Sequence, residues 1–147
     1  PSNLYGPGDN FHPENGHVIP ALMTKFNNAT TDSVTCWGDG TPTREFMYVD
    51  DLADACLFAV ENYSNAELIN VGSGQDISIF HLAHKIAALT GYKGKIEWDT
   101  SRPNGTPKRP LDYNKITEKG WKPNYTLDQG LEEAYLWFQQ ATHLQTR

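Results

Sequence analysis

The chain has 147 residues, a formal net charge of −6 and two cysteines, with 38% hydrophobic against 20% charged residues, the balance of a globular domain. No run approaches the roughly 20 consecutive apolar residues of a membrane span. The opening PSNLYGPGDN has neither the basic start nor the apolar stretch of a signal peptide, so a cytoplasmic setting with no membrane partner is expected. An acidic chain without a block of Lys and Arg does not suit nucleic acid. Cys36 and Cys56 fit neither a disulfide scaffold nor a CxxC metal pair, and both are expected as reduced core residues.

The first sixteen residues are rich in Gly, Pro and Asn and show no helical or strand period. With Pro1 in place of an initiator Met, the chain is expected to be the downstream part of a longer polypeptide, cut within a functional loop. From His17 to Ala29, Val18, Ala21, Leu22 and Phe26 recur at helical spacing, with Thr24, Lys25, Asn27 and Asn28 on the polar side. Val34 to Trp37 reads as a strand, Gly38 to Pro42 as a turn and Arg44 to Val49 as a second strand, together a hairpin-like pair. Asp50 or Asp51 then caps a helix whose Leu52, Ala53, Ala55, Cys56, Leu57, Phe58, Ala59 and Val60 are apolar nearly all round. Such a helix expects cover on several sides, and the strands of this chain are too few to provide it. Leu68 to Val71 predicts a third strand.

Ser78 caps a helix with Ile79, Leu82, Ala83, Ile86 and Leu89 on one face, stopped by Gly91. Gly94 to Trp98 predicts another strand, Asp99 to Pro110 a long irregular loop, and Asp112 the start of a short helix ended by Gly120. Thr126 and Gln129 make a capping box for a final helix lined by Leu127, Leu131, Ala134 and Phe138, with the last residues frayed. Alternating short strands and helices point to an α/β or α+β domain.

Several residues could carry chemistry. Gly38 with Gly40 and Gly72 with Gly74 look like the start of a dinucleotide fingerprint. Position 43 is Thr and position 77 is Ile, so the third glycine is missing and both pairs read as ordinary turns. His81 and His84 are three apart on a predicted helix without a cluster to complete a metal site, and read as a solvated face; His143 carries no signal. His12 and His17 lie in the opening loop, where an imidazole can act as a general acid near neutrality; packing of the loop is the alternative. Lys25, Arg44, Lys108 and Arg109 would form a diphosphate site if the fold gathered them, and are otherwise surface charges.

The segments NLYGPGDNFHPENGHVIPALMTKF, WGDGTPTREFMYVDDLADA, INVGSG, GYKGKI, RPNGTPKRPLD and LDQGLEEAYLWF together resemble the C-terminal part of the GDP-L-fucose synthase family, extended short-chain dehydrogenases/reductases. REFMYVDDLADA alone marks only the superfamily, whereas DNFHPENGHVIPAL and NGTPKR are more specific. The resemblance implies an α/β fold: a C-terminal substrate-binding domain over residues 1–147 with small pieces of the Rossmann domain. In it residues 1–16 form an active-site loop and about 33–72 pack against a missing N-terminal Rossmann portion. It further implies 3,5-epimerisation and NADPH-dependent 4-reduction of GDP-4-keto-6-deoxy-mannose by a homodimeric full-length enzyme. His17 would be the catalytic acid. Asn3, Val18, Leu22, Lys25, Trp37, Arg44, Lys108 and Arg109 would bind substrate, and Pro1, Asn3 and Leu4 would approach NADP(H).

Family members commonly carry Arg where Lys25 stands, have the two basic types exchanged at Lys108 and Arg109, and often have His where Gly8 stands. The family's base is an upstream cysteine, a role Cys36 does not inherit. The nucleotide fingerprint and the ketone-polarising residues are also upstream, so this chain alone is expected to be inactive. Another nucleotide-sugar epimerase or dehydratase, and a non-catalytic nucleotide-sugar binding module, remain the alternatives.

Overall fold

The structure is a computed structural model that describes residues 1–109 and 111–145, with side chains to residue 141. In chain order its elements are β1 (Asn3–Tyr5), α1 (Val18–Asn27), β2 (Ser33–Trp37), β3 (Thr43–Tyr48), α2 (Val49–Asn62), β4 (Asp76–Ser78), α3 (Ile79–Thr90), β5 (Lys95–Asp99), α4 (Asn114–Glu118) and α5 (Leu127–Gln145). The fraying expected at the chain's end, Pro110 at the end of the predicted loop and the His143 side chain lie outside the described residues.

β1 pairs parallel to β3, with Asn3 opposite Phe46 and Tyr5 opposite Tyr48, and β3 pairs antiparallel to β4. A second sheet holds β2 and β5 in parallel, Cys36 opposite Trp98. The hairpin expected from β2 and β3 is therefore not formed. The turn at 38–42 carries the chain from one sheet to the other, and each strand takes a partner distant in sequence. Parallel pairing needs a crossover: the chain passes through α1 and β2 between β1 and β3, and through β3, α2, β4 and α3 between β2 and β5. Residues 68–71, expected as a strand, do not form one; Val71 O accepts from Ser2 N, the residue before β1.

The main core lies between α1, α3 and α5. Ile19, Leu22, Met23 and Phe26 from α1 meet Leu82, Ala83 and Ile86 from α3 and Leu131, Ala134 and Phe138 from α5. Thr24, expected on the polar side of α1, is buried there because its hydroxyl donates to Phe11 O at 2.7 Å, which ties the opening loop to the helix. The caps of α3 and α5 follow expectation. Ser78 Oγ accepts from His81 N, Gly91 ends α3 at φ 78°, and Thr126 and Gln129 hold each other reciprocally at the start of α5.

α2 departs from its expected start. Its N-cap is Tyr48, and neither Asp50 nor Asp51 caps it. Asp51 instead turns inward, where its carboxylate accepts from Asn124 N and Tyr125 N at 2.8 and 3.2 Å. A smaller core of Met47, Ala55, Val71, Ile116 and Trp121 covers one side of α2. The other side is open: Leu57 and Val60 are exposed, as is Leu68 just beyond the helix. Cys56 shares that open face and is exposed, so it is not a core residue; Cys36 is.

Candidate functional site

The two loop histidines are separated by geometry. His12 Nδ1 accepts from Glu14 N and Asn15 N at 3.2 and 3.1 Å, its carbonyl accepts from Gly16 N, and its own N–H donates to Asn10 Oδ1. A ring nitrogen that accepts two backbone N–H groups is not available to carry a proton, so His12 holds the turn. His17 is the N-cap residue of α1, yet its side chain makes no cap bond. The ring faces Asp9, with Nδ1 3.2 Å from Oδ1, and is largely exposed at the rim of a cavity.

That cavity, about 350 Å³, lies where both sheets and the N-terminal end of α1 meet. β1 contributes Asn3 and Leu4, the start of α1 contributes His17 to Pro20, β2 ends in it at Trp37, and β3 adds Arg44 and Phe46. Ile79 from α3 and Pro42, Pro103 and Asn104 from loops complete the wall. An adjoining cavity of about 240 Å³ shares Val18, Trp37 and Ile79 and adds Leu22, Lys25 and Cys36. The volumes suit a small-molecule ligand. The walls are mostly apolar; the first turn of α1, whose dipole is positive there, and one cation in each cavity, Arg44 and Lys25, suit an anion, while Glu14 also lines the smaller cavity.

Trp37 stands beside two cations. Its indole is 55% exposed, with Lys25 Nζ 5.4 Å from the ring centroid and the Arg102 guanidinium 5.2 Å from it. Arg44 is steered by donating from Nη1 to Thr43 O at 2.7 Å. Two aspartate turns hold the neighbouring loops. Asp39 Oδ1 accepts from the hydroxyl and N–H of Thr41, and Asp39 N donates to Asn104 Oδ1 at 2.8 Å, which ties the 38–42 turn to the Pro-rich loop. Asp99 binds Ser101 in the same way. These hydrogen bonds hold both carboxyls below the ordinary aspartate range, the Thr41 hydroxyl being the largest influence on Asp39 and the Ser101 hydroxyl on Asp99.

Of the residues singled out from sequence, Asn3, Leu4, His17, Val18, Trp37 and Arg44 line the larger cavity, and Leu22 and Lys25 the smaller. Asn3 is anchored by donating from Nδ2 to Glu45 O at 2.9 Å. Pro1, Lys108 and Arg109 line neither cavity, and Lys108 is paired with Asp76 at 2.5 Å. Sequence reasoning missed Asn104, Pro103, Ile79 and Arg102. The signal for Arg102, Pro103 and Asn104 was in RPNGTPKR, where only Lys108 and Arg109 were weighed. Burial pushes the Cys36 thiol up, with Lys25 opposing, so it is not an activated nucleophile. His81 and His84 are exposed and engaged locally, by Ser78 Oγ and Phe80 O.

The glycine pairs are turns. Gly38, Gly40 and Gly74 have φ near 77°, a Cβ on Gly72 would lie 2.2 Å from Glu45 Oε1, and one on Gly74 2.9 Å from the Tyr113 hydroxyl. Side chains of this chain thus fill the space a pyrophosphate would need, and neither pair opens a helix.

The sequence and the fold both have known relatives. The NAD dependent epimerase/dehydratase family matches residues 1–72. The chain is 50% identical over 141 residues to a probable GDP-L-fucose synthase 1 of Oryza sativa subsp. japonica, covering 94% of this chain and 43% of that protein. With the GDP-L-fucose synthase of Escherichia coli (strain K12) it shares 45% identity over 150 residues, covering 94% of this chain and 47% of that one. A crystal structure of a GDP-L-fucose synthetase from Naegleria fowleri bound to NADP superposes with a TM-score of 0.88 at 32% identity, over 96% of this chain and 46% of that chain. The chain therefore spans less than half the length of these three relatives. Over nearly its whole length the chain is thus similar to GDP-L-fucose synthases, and over residues 1–72 to the NAD dependent epimerase/dehydratase family.

Proposed function

We propose that this chain is the C-terminal, substrate-binding portion of a cytoplasmic, homodimeric GDP-L-fucose synthase. The complete enzyme would epimerise carbons 3 and 5 of GDP-4-keto-6-deoxy-mannose and reduce the ketone at carbon 4 with NADPH. The observation that carries the reading is one cavity at the start of α1 lined together by Asn3, His17, Val18, Trp37 and Arg44. In this reading Val18 and Leu22 line the guanine region, Trp37 contacts the nucleotide sugar, and Lys25 and Arg44 approach the diphosphate. Lys108 and Arg109, further along the loop that carries Asn104, are assigned to the diphosphate as well. Residues 1–16 form the active-site loop. Residues 33–72, with the open apolar face of α2, are the part we infer to pack against a Rossmann portion.

The ketone of such a substrate acidifies the carbons beside it. Once a base has removed a proton from one face, an acid must deliver one to the other, and we assign that delivery to His17. Bound NADPH would supply the hydride. Pro1, Asn3 and Leu4 are the residues we assign near it. The described residues do not fit the dinucleotide itself, since neither glycine pair leaves room for a pyrophosphate, so we infer that it is held by sequence outside these 147 residues.

Titration of the purified chain with GDP, UDP and dTDP, followed by Trp fluorescence, tests the reading. A clear preference for GDP supports it. Equal affinities would favour another nucleotide-sugar epimerase or dehydratase. Turnover of the keto-sugar with NADPH by the 147-residue chain alone would refute its catalytic incompleteness. In the protein extended to the length of its relatives, His17→Asn should depress epimerisation and leave GDP binding within about twofold, because an amide cannot donate a proton as imidazolium does. Equal loss of GDP binding would make His17 a ligand-positioning residue.

A further inference from the structure

We propose that Asp9 is the positioning residue for His17, a carboxylate that fixes which nitrogen of the ring faces the cavity; this rests on the acid role given to His17 above. Asp9 is set for that task by its backbone and its burial. It follows Gly8, whose φ of 79° bends the loop back on itself, and its N–H points at Gly6 O. Its side chain is only 14% exposed, whereas that of His17 is 79% exposed. Asp9 Oδ1 accepts from Asn10 N at 2.7 Å and lies 3.2 Å from His17 Nδ1, while Oδ2 is buried with no hydrogen-bond partner among the described residues. The imidazole is thus the one ion-pair partner this carboxylate has among them.

The segment between the two residues is braced so that the pairing is kept. Asn10 Nδ2 donates to Asn15 O, His12 takes up the turn at 14–16, and Phe11 O is fixed by Thr24 on α1. A carboxylate on Nδ1 keeps a proton on that nitrogen in both charge states of the ring. Nε2 is then the nitrogen that changes. When His17 delivers its proton, the Nε2–H bond breaks and a C–H bond forms at the enolate carbon. The positive charge of the imidazolium and the negative charge of the enolate both vanish, and the neutral ring remains hydrogen-bonded through Nδ1–H to Asp9. No ring flip or tautomer change is needed before Nε2 is protonated again from water. Without Asp9 the imidazolium still carries a proton on Nε2, but losing it leaves the Nδ1–H tautomer that no carboxylate then stabilises, so the donation is weakened.

The test begins with the 147-residue chain labelled with 15N. Long-range 1H–15N correlation at about pH 8.5, well above the ordinary imidazole pKa near ~6.5, distinguishes the two neutral tautomers of His17. The expected result is protonated Nδ1 in the parent and a shift toward protonated Nε2 in Asp9→Asn. A parent His17 already protonated on Nε2, or ring nitrogens unmoved by Asp9→Asn, overturns the proposal. In the protein extended to the length of its relatives, Asp9→Asn should lower kcat for epimerisation about 10- to 100-fold, a part of the roughly 10²- to 10⁴-fold a placed acid supplies. KM should stay within about twofold, and Asp9→Glu, which keeps the carboxylate, should recover part of the rate. Should Asp9→Asn misfold, the parent chain still decides: a neutral His17 with its proton on Nδ1 is what the proposal requires, and one with its proton on Nε2 overturns it. Loss of activity in His17→Asn with none in Asp9→Asn overturns the positioning role and leaves the acid role standing. Full activity in both overturns the two together.

Discussion

Asp51 offers a sharp test of how the fold is held. It lies in the first turn of α2, is 1% exposed, and accepts one hydrogen bond on each oxygen, from Asn124 N at 2.8 Å and Tyr125 N at 3.2 Å. Those bonds fasten the segment before α5 to α2. The neighbouring Trp121 indole helps by donating to Asp54 Oδ2 at 2.9 Å, and the Tyr48 and Tyr125 rings by packing with centroids 4.4 Å apart. Asp51→Ala removes two charge-assisted bonds of about 1.5–3 kcal/mol each and leaves two amides with no acceptor. Relief of the carboxylate's own desolvation offsets part of this, so the net loss should be about 3–5 kcal/mol. In a chain of this length that is a fall in Tm of roughly 6–20 °C, at some 2–4 °C per kcal/mol. Asp51→Asn keeps one acceptor but sets an NH2 against the other backbone N–H, and should lose about 2–3 kcal/mol. Urea titration followed by far-ultraviolet circular dichroism gives both values. An alanine variant within about 1 kcal/mol of the parent, the range of an ordinary surface change, would mean that Asp51 does not hold that junction.

Three further outcomes follow from other parts of the structure. Gly130→Ala in α5 gains about 1 kcal/mol of helix propensity, yet the new Cβ would lie 2.2 Å from the Tyr5 hydroxyl and 3.1 Å from Tyr48 Cδ2; overpacking of about 1–3 kcal/mol should win and lower the urea midpoint, and a raised midpoint would show that Tyr5 has room to move. Asp39 and Asp99 have lowered pKa values in the fold, so their hold on Thr41 and Ser101 is complete above the unfolded value near ~3.9 and is lost as pH falls through the folded one. The Thr41 and Ser101 amide resonances should therefore titrate below that value, and midpoints at or above it would contradict the assignment. Trp37→Leu keeps an apolar wall but removes the ring that gathers Lys25 and Arg102. GDP affinity, measured by isothermal calorimetry, should weaken by roughly 1–2 kcal/mol; unchanged affinity would separate the indole from the site.

Legibility in the sequence followed the range of the interactions. α1, α3 and α5 could be read because an apolar stripe and a cap are local: Ser78 with Gly91, and Thr126 with Gln129, mark their helices within a few residues. Strand pairing could not be read this way. β2 and β3 are separated by a turn that looks like a hairpin, but β2 finds β5 some sixty positions on and β3 lies between β1 and β4. Asp51 was mistaken for a cap because its partners, Asn124 and Tyr125, are more than seventy positions away. Thr24 was placed with the polar face for the same reason, its acceptor Phe11 O lying in the loop before the helix. The site was legible residue by residue through its resemblance to a family, yet composition alone could not distinguish His12 from His17. That distinction needed the direction of two rings: one toward backbone amides, the other toward a carboxylate and a cavity.

The electrostatics of the cavity show why a net charge of −6 says little about what the chain binds. Charge acts locally, because salt screens it beyond about 8–10 Å, so what matters is which acids are satisfied elsewhere. Asp76 is held by Lys108, Asp128 by Lys85 and Glu67 by Lys115, all at sites that line neither cavity. Asp39 is taken up by Thr41 and Asp99 chiefly by Ser101, with Arg102 at the longer distance of 3.8 Å. Lys25, Arg44 and Arg102 are then left around Trp37 and the first turn of α1, while Glu45, on the same strand as Arg44, turns inward to Gly74 N and Ser73. An anionic ligand in the two cavities thus meets Arg44, Lys25 and a helix N-terminus, with Glu14 on the wall of the smaller one, within a protein whose overall field would repel it. The acidic residues contribute to this arrangement: by fixing the turns at 39–41 and 99–101 they hold the two loops that bring Asn104 and Trp37 to the same wall.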